Sequence, residues 1–373
     1  MALNIWISGV GGPTPRSIAR SLRLAEADLG PLHLVGTDCN PLASGLYEHD
    51  LYDETLVIPR ADDPEYVPFI TEAIAARGID IALVHPELEV LVWSALQRDG
   101  KPWPCAALIP DHRVVEVLTD KGRMNALLAD TPWIPTSLEI DPEAVADAPK
   151  ATWNTLEKSL GLPFWVRSAT GSSGLGALKI DAMDTLTRWL RMNDGVTRFV
   201  GSTFLPGRNL AVKLLYVDGS LVRAACGERV HYIMAKTAPS GITGNTSFGR
   251  LLNAPELIDR ADALMQRLFE RLGVTPHGFF TADFKEDAAG VPLCTEVNVR
   301  MVAFNYSFAQ AGANFSADIV RYLNGGASAL SGPTRYAFEE GTCFVRDVDT
   351  EPRLMNERDL RSPATVRTTT VDG

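Results

Sequence analysis

The chain has little of what several chemistries require. Its five cysteines (Cys39, Cys105, Cys226, Cys294, Cys343) are scattered through 373 residues with no C-x-x-C pair. An odd, dispersed set argues for buried thiols in a reducing compartment, not for disulfides or a zinc site. Six histidines show no H-E-x-x-H or similar spacing, so a histidine metal centre is not expected. Basic residues are outnumbered 35 to 46, giving a net charge of −11. That balance argues against a nucleic-acid partner. No uninterrupted apolar run is long enough to span a bilayer, and Met1-Ala-Leu-Asn-Ile-Trp-Ile lacks the basic start of a signal peptide. The expectation is a soluble cytoplasmic protein with no membrane partner. No G-K-[ST] follows a glycine loop, which excludes a P-loop. No Ser–His or Cys–His arrangement offers a protein nucleophile.

What is present is an ordinary soluble composition, 46% hydrophobic and 22% charged, in a length sufficient for two or three domains. Strand and helix signals alternate over the first hundred residues. Ile5-Trp-Ile-Ser and Leu32-His-Leu-Val-Gly-Thr-Asp38 read as strands, Ile79-Asp-Ile-Ala-Leu-Val84 as a third, with helices after residue 13 and over 66–76. Such alternation predicts a parallel, doubly wound sheet ending near Pro110. The pattern from 111 to 129 predicts one helix. Further strands are expected at 163–167, 177–180, 210–217 and 221–225, helices at 153–160, 184–192 and 256–272, and a frayed tail over the last ten residues.

The most informative segment runs from Gly278 to Arg300. Alternating apolar and polar residues flank a glycine-containing turn and predict a β-hairpin. A turn over 288–291 pairs Asp287 with Pro292 and sets Asp283 across from Glu296. Facing carboxylates lie about 5 Å apart at Cβ and repel unless a cation lies between them. Asn298, two residues on, adds a carbonyl oxygen to the same face. Oxygen ligands of this kind suit Mg²⁺ or Mn²⁺, with the remaining positions left to water and phosphates. A solvated face neutralised by neighbours such as Lys285 is the alternative.

Four other segments carry candidate chemistry. Thr170-Gly-Ser-Ser-Gly-Leu-Gly176 lies between two strands, where a glycine-rich tip can fold over a triphosphate and offer backbone N–H groups. Arg167, just before it, could hold a phosphate in a forked geometry. Gly9-Val-Gly-Gly12 with Asp38 is an imperfect dinucleotide fingerprint, because Pro13-Thr14 replaces the third glycine. His85-Pro-Glu87-Leu-Glu89 follows the third strand, where such sheets present ligands, although acids there also suit a helix start.

These pieces in this order resemble the ATP-grasp superfamily, in the branch like the carbamoyl-phosphate synthase large subunit, over roughly residues 3–320. The resemblance implies a Rossmann-like pre-ATP-grasp domain (1–110), an N-lobe (111–195), a C-lobe with hinge and metal site (196–330), and C-terminal strands and tail (331–373). Thr119-Asp-Lys121 resembles the family's phosphate-reaching lysine, and Arg167 stands where a second cation contacts phosphate. Gly171, Ser172, Ser173, Gly174 and Gly176 form the lid. Thr203-Phe204-Leu205-Pro-Gly207 resembles the hinge that pairs with adenine, with Thr203 in place of a common acid. Asn209 replaces a glutamate that often grips ribose. Asp283, Glu296 and Asn298 match the metal ligands, and Arg300 completes the Glu-x-Asn-x-Arg signature.

The activity so implied is an ATP-dependent carboxylate–amine ligase working through an acyl phosphate on small-molecule carboxylate and amine substrates, with Arg300, Lys121 and Arg167 catalytic. A tandem carbamoyl-phosphate synthase activity is not expected of one ATP-grasp unit. The polar, glycine-rich stretch 228–249 is expected to line the substrate pocket, with Arg229 and Glu87 as candidate substrate ligands. A homodimer through the first domain is compatible with this reading. Two alternatives stay open: a non-catalytic nucleotide-binding module, and an NAD(P)-dependent oxidoreductase using the loop 9–12.

Overall fold

The computed structural model describes residues 2–171, 174–347 and 353–359. Three sheets organise the chain. The first contains β1 (Leu3–Ser8), β2 (Leu32–Asp38), β3 (Glu54–Val57), β4 (Ile81–Leu83) and β5 (Ala106–Ala107), all parallel, in the order β3-β2-β1-β4-β5. Ile5, Trp6 and Ile7 are all buried, as expected of a central strand covered on both faces. The order reverses between β1 and β4, so the loops after these two strands open a crevice at the switch point. Helices Pro13–Leu24 and Glu87–Arg98 both begin there.

The second sheet is antiparallel, in the order β6-β9-β7-β8, with β6 (Ser137–Ile140), β7 (Phe164–Ser168), β8 (Leu178–Ile180) and β9 (Phe199–Thr203). Helices Pro149–Leu160 and Met183–Met192 cover it, and Phe164, Phe199, Leu156 and Leu186 share its core. The third sheet is antiparallel, in the order β14-β13-β10-β11-β12-β15-β16. Its strands are β10 (Asn209–Val217), β11 (Ser220–Tyr232), β12 (Thr246–Leu252), β13 (Gly278–Glu286), β14 (Pro292–Asn298), β15 (Thr342–Val345) and β16 (Arg353–Asn356). Helix Pro255–Leu272 lays Leu257, Ala261, Leu264, Leu268 and Phe269, at helical spacing, against this sheet. Each fully buried leucine there contributes about 2 kcal/mol.

Three expectations need correction. The stretch 111–129 is two helices, His112–Leu118 and Lys121–Leu128. Asp120 breaks it by accepting from the amides of Gly122 and Arg123, at 2.9 and 3.1 Å, as an N-cap does. The boundary at 195 is misplaced, because β9 pairs with β6 and β7, so the chain crosses to the third sheet only between Thr203 and Asn209. The hairpin turn is one residue longer than expected: Glu286, not Asp287, pairs with Pro292. Asp287 is held inside the turn because its Oδ1 accepts from the amides of Ala289 and Val291, both at 2.8 Å. The last ten residues lie outside those described.

Near the crevice, Glu89 is buried and accepts a 2.6 Å hydrogen bond from the Tyr66 hydroxyl, which accepts from Trp93 Nε1 at 3.1 Å. Burial pushes its carboxyl up to about 7. A folded-state pKa above the unfolded one means the native state holds the proton more tightly, so stability is greatest in acid and declines as pH rises towards 7. Glu89→Gln removes this dependence. Denaturant unfolding should show the wild type losing up to about 1.4 kcal/mol per pH unit relative to the variant between pH 5 and 7. Parallel stability curves would refute the assignment.

Candidate active site

The site is built around the hairpin. With Glu286 opposite Pro292 and Phe284 opposite Cys294, a regular ladder would set Asp283 against Thr295. Instead a bulge leaves Thr295 unpaired and restores Asp283 opposite Glu296. The bulge also frees the Thr295 carbonyl, which accepts from Arg167 Nη2. Asn298 stands next along the strand, its Nδ2 3.3 Å from Asp283 Oδ2. Burial pushes the Asp283 carboxyl up to about 6, with Arg229 opposing and Glu296 reinforcing the shift.

Cations surround the two acids. Lys121, at the first position of its helix, sends Nζ to within 3.6 Å of Glu296 and donates to the Gly171 carbonyl at 2.7 Å. Arg167, in β7, reaches Glu296 at 3.6 Å. Arg229, in β11, donates to Asp283 at 2.7 Å, and its guanidinium lies 5.0 Å from the Phe304 ring centre. The neutralising groups are thus these three, drawn from separate elements. Lys285 instead donates to the Gly207 carbonyl (2.9 Å) and to Asn209 Oδ1 (3.1 Å), beside the hinge.

A cavity of about 650 Å³ runs past these groups. One end is lined by Trp165, Thr203, Phe204, Leu205 and Asn209, and Lys285 joins them. Backbones approach closely here: a Cβ on Gly207 would fall 2.5 Å from Glu286 Cβ. The lid residues Gly171 and Gly174 line the middle, while Ser172 and Ser173 lie outside the described residues. Gly176 turns the chain back with φ +62° under the Phe199 ring. The other end reaches the switch-point crevice, where Gly9, Gly12 and Pro13 meet Glu87, Arg300 and Val302. Tyr232, Ile242, Gly244 and Asn245 also line the cavity, so the expected stretch 228–249 does face it. Among the described residues the lining carries five cations (Lys121, Arg167, Arg229, Lys285, Arg300) against three acids (Glu87, Asp283, Glu296). A chain of net charge −11 thus keeps a positive interior suited to a polyanion.

The dinucleotide reading of the first loop loses its acid. Asp38 Oδ2 accepts from the Gly11 amide at 2.8 Å and Oδ1 from the Asn40 amide at 2.8 Å. That carboxylate organises its own loop, and the space beside Gly11 is filled by Ala43 and Asp38 themselves.

One group at this site escaped the sequence reading altogether. Lys213, in β10, is fully buried, donates to Asn305 Oδ1, and sits 4.5 and 4.9 Å from the Phe304 and Phe308 ring centres. Burial holds its pKa well below the usual lysine value. An isolated lysine in an apolar strand carries no motif by which to find it.

The fold has counterparts among solved structures. N5-carboxyaminoimidazole synthetase from Staphylococcus aureus, complexed with ADP, superposes with a TM-score of 0.65 at 14% identity, covering 92% of this chain and 83% of that one. The two chains share the ATP-grasp fold. L-amino acid ligase from Bacillus licheniformis gives 0.62 at 15% identity, covering 92% and 78% of the two chains. The biotin carboxylase domain of Hydrogenobacter thermophilus 2-oxoglutarate carboxylase, with MgADP and bicarbonate, gives 0.64 at 15%, covering 93% and 74%. No protein-family model and no curated protein matches the sequence. No helix among the described residues is long and apolar enough to cross a membrane.

The turn at Gly176 depends on the absence of a Cβ there. Gly176→Ala forces a Cβ to within 2.9 Å of Phe199 at a positive φ. We expect a loss of about 1–2 kcal/mol in stability, with weakened Mg-ATP affinity, read by unfolding and by calorimetry. Unchanged values for both would refute the lid geometry.

Proposed function

We propose that the protein is an ATP-dependent carboxylate–amine ligase that forms an amide through an acyl phosphate. The observation that carries this is Asp283 facing Glu296 across a bulged hairpin, ringed by Lys121, Arg167 and Arg229, in a cavity lined by Trp165, Phe204 and Asn209 at one end and by the switch-point crevice at the other. That the superposed structures include ADP and MgADP complexes supports the nucleotide reading.

The donor set fits a divalent cation: two carboxylates and an amide side chain share one face of the hairpin. Asp283, Glu296 and Asn298 would hold Mg²⁺, or Mn²⁺ in its place. Bound there, the ion supplies charge neutralisation for the phosphates. Rotation of the Asn298 amide would turn its oxygen towards that position, since amide O and N are assigned by their bonding.

The chain's own groups do the rest. Thr203, Phe204 and Leu205 bracket the base, with Asn209 and Lys285 at the sugar side. Lys121, Arg167 and the lid glycines bind the triphosphate and exclude water. The γ-phosphoryl group leaves the β,γ-bridging oxygen and bonds to a carboxylate oxygen of the substrate. An amine then attacks the acyl carbon, the C–N bond forms, and phosphate departs. Arg300, beside the metal ligands, would stabilise the oxyanion of that attack. No protein nucleophile is needed.

The decisive measurement is ADP release from Mg-ATP against a matrix of amino acids and simple carboxylates. We expect release only with particular pairs, reduced at least a hundredfold in Glu296→Ala, whose fold is checked by circular dichroism. Full turnover in that variant would overturn the metal assignment. Mg-ATP binding with no turnover across the matrix would favour a non-catalytic nucleotide-binding module.

A further inference from the structure

At the crevice end of the cavity, two opposite charges lie unpaired. The carboxylate of Glu87, the first residue of helix Glu87–Arg98, makes no hydrogen bond and no ion pair among the described residues, although it lines the cavity half-buried. The side chain of Arg300 donates only to its neighbour's carbonyl, Met301 O, at 3.2 Å. Each feels the other's charge, yet the two do not close on one another. Every other acid lining the cavity is in an ion pair: Asp283 with Arg229, Glu296 with Lys121 and Arg167. His85, which lines the same crevice, is buried and held neutral by burial and the charge of Arg300, its Nδ1 against Leu83 O at 3.0 Å, so it does not complete the pair.

The segment bearing Glu87 is rigidly held. Pro86 fills the space beside Gly9, where a Cβ would fall 2.6 Å from Pro86 Cγ, and the His85 amide donates to Ser8 Oγ at 3.2 Å. The helix start and the nearby charges of Arg300 and Lys121 favour the Glu87 carboxylate, but no group among the described residues donates to it, and Arg300 lines the same crevice without an ion pair. The balance is restored by a ligand carrying one charge of each sign.

We propose that the crevice is a zwitterion slot: the substrate whose carboxylate is phosphorylated is a free amino acid, its carboxylate at Arg300 beside the metal ligands and its ammonium on Glu87. This rests on the ligase reading and specifies its acid substrate. The ammonium stays protonated on Glu87 through phosphoryl transfer. The amine that attacks the acyl phosphate therefore belongs to a second molecule, and the product keeps a free amino group on its acyl side. The apolar wall of Pro13, Leu88, Val302 and Ala303 would meet the side chain.

The test is calorimetry on the whole chain with Mg-ADP, using L-alanine and L-phenylalanine against propionate, 3-phenylpropionate and the N-acetyl amino acids. At least one free amino acid should bind, and at least tenfold more tightly than its deamino and N-acetyl counterparts. Glu87→Gln should lose that discrimination with Mg-ATP affinity unchanged, and Glu87→Asp should restore part of it. Deamino acids binding as tightly as amino acids would overturn the slot, as would wild-type affinity in Glu87→Gln, or no amino-acid binding at all. The wild-type comparison stands even if a variant folds poorly. Amino-acid binding that discriminates as expected, with no ADP release from any pair, would sink the ligase reading while leaving the slot intact.

Discussion

Two half-buried carboxylates facing each other across a hairpin are the constraint on which the rest of the site depends. Asp283 and Glu296 would repel, and their partial burial weakens the screening that water supplies. The fold answers with cations from three elements in different parts of the chain: Lys121 from a helix start, Arg167 from the small sheet, and Arg229 from the large one. Because the cations come from separate layers, the electrostatics of the hairpin also bind those layers to one another. Lys121 joins the lid as well, through the Gly171 carbonyl. Lys121 thereby links Glu296 to the backbone at Gly171.

Regular geometry is broken where function requires it. The bulge at Thr295 keeps two acids opposed despite a turn that is one residue too long, and it turns a carbonyl towards Arg167. The N-cap at Asp120 breaks a helix so that Lys121 starts the next one, pointing into the cavity. Asp120 also pairs with Arg198, just before β9, at 2.7 Å, which ties that break to the small sheet. Gly207 lets the hinge backbone approach Glu286 more closely than any side chain would allow. Such local departures are affordable only because sheets with large buried cores surround them.

The cavity divides by charge. Away from the crevice it is rich in cations, while the crevice half holds Glu87 and Arg300, one acid and one base. A polyanion and a zwitterion are complementary to such a pair of compartments, and the Asp283–Glu296 face lies at their junction. The switch point of the parallel sheet explains why the crevice is there: loops after β1 and β4 diverge and leave a gap that neither strand fills.

Some of this was readable in the sequence, and the reason is local. The alternation over 278–300 carries its own hairpin, and Glu-x-Asn-x-Arg keeps its residues within one strand, so Asp283, Glu296 and Asn298 could be brought together from spacing alone. Strong apolar periods marked β1, β2 and the helix Pro255–Leu272, because each buries a full face. What escaped was decided elsewhere in the chain. The partners of Asp283 and Glu296 lie far away in sequence, and Lys285, the neutraliser proposed from proximity, turns to the hinge instead. Asp38 reads as a ribose ligand until the Gly11 amide is found against it. Lys213 and the unpaired state of Glu87 and Arg300 have no sequence signature, since burial and the absence of a partner are properties of packing. Sequence determined which charges exist and on which elements they ride. Only the tertiary structure decided which of them meet, because the Coulomb and desolvation energies that select partners act through space and not along the chain.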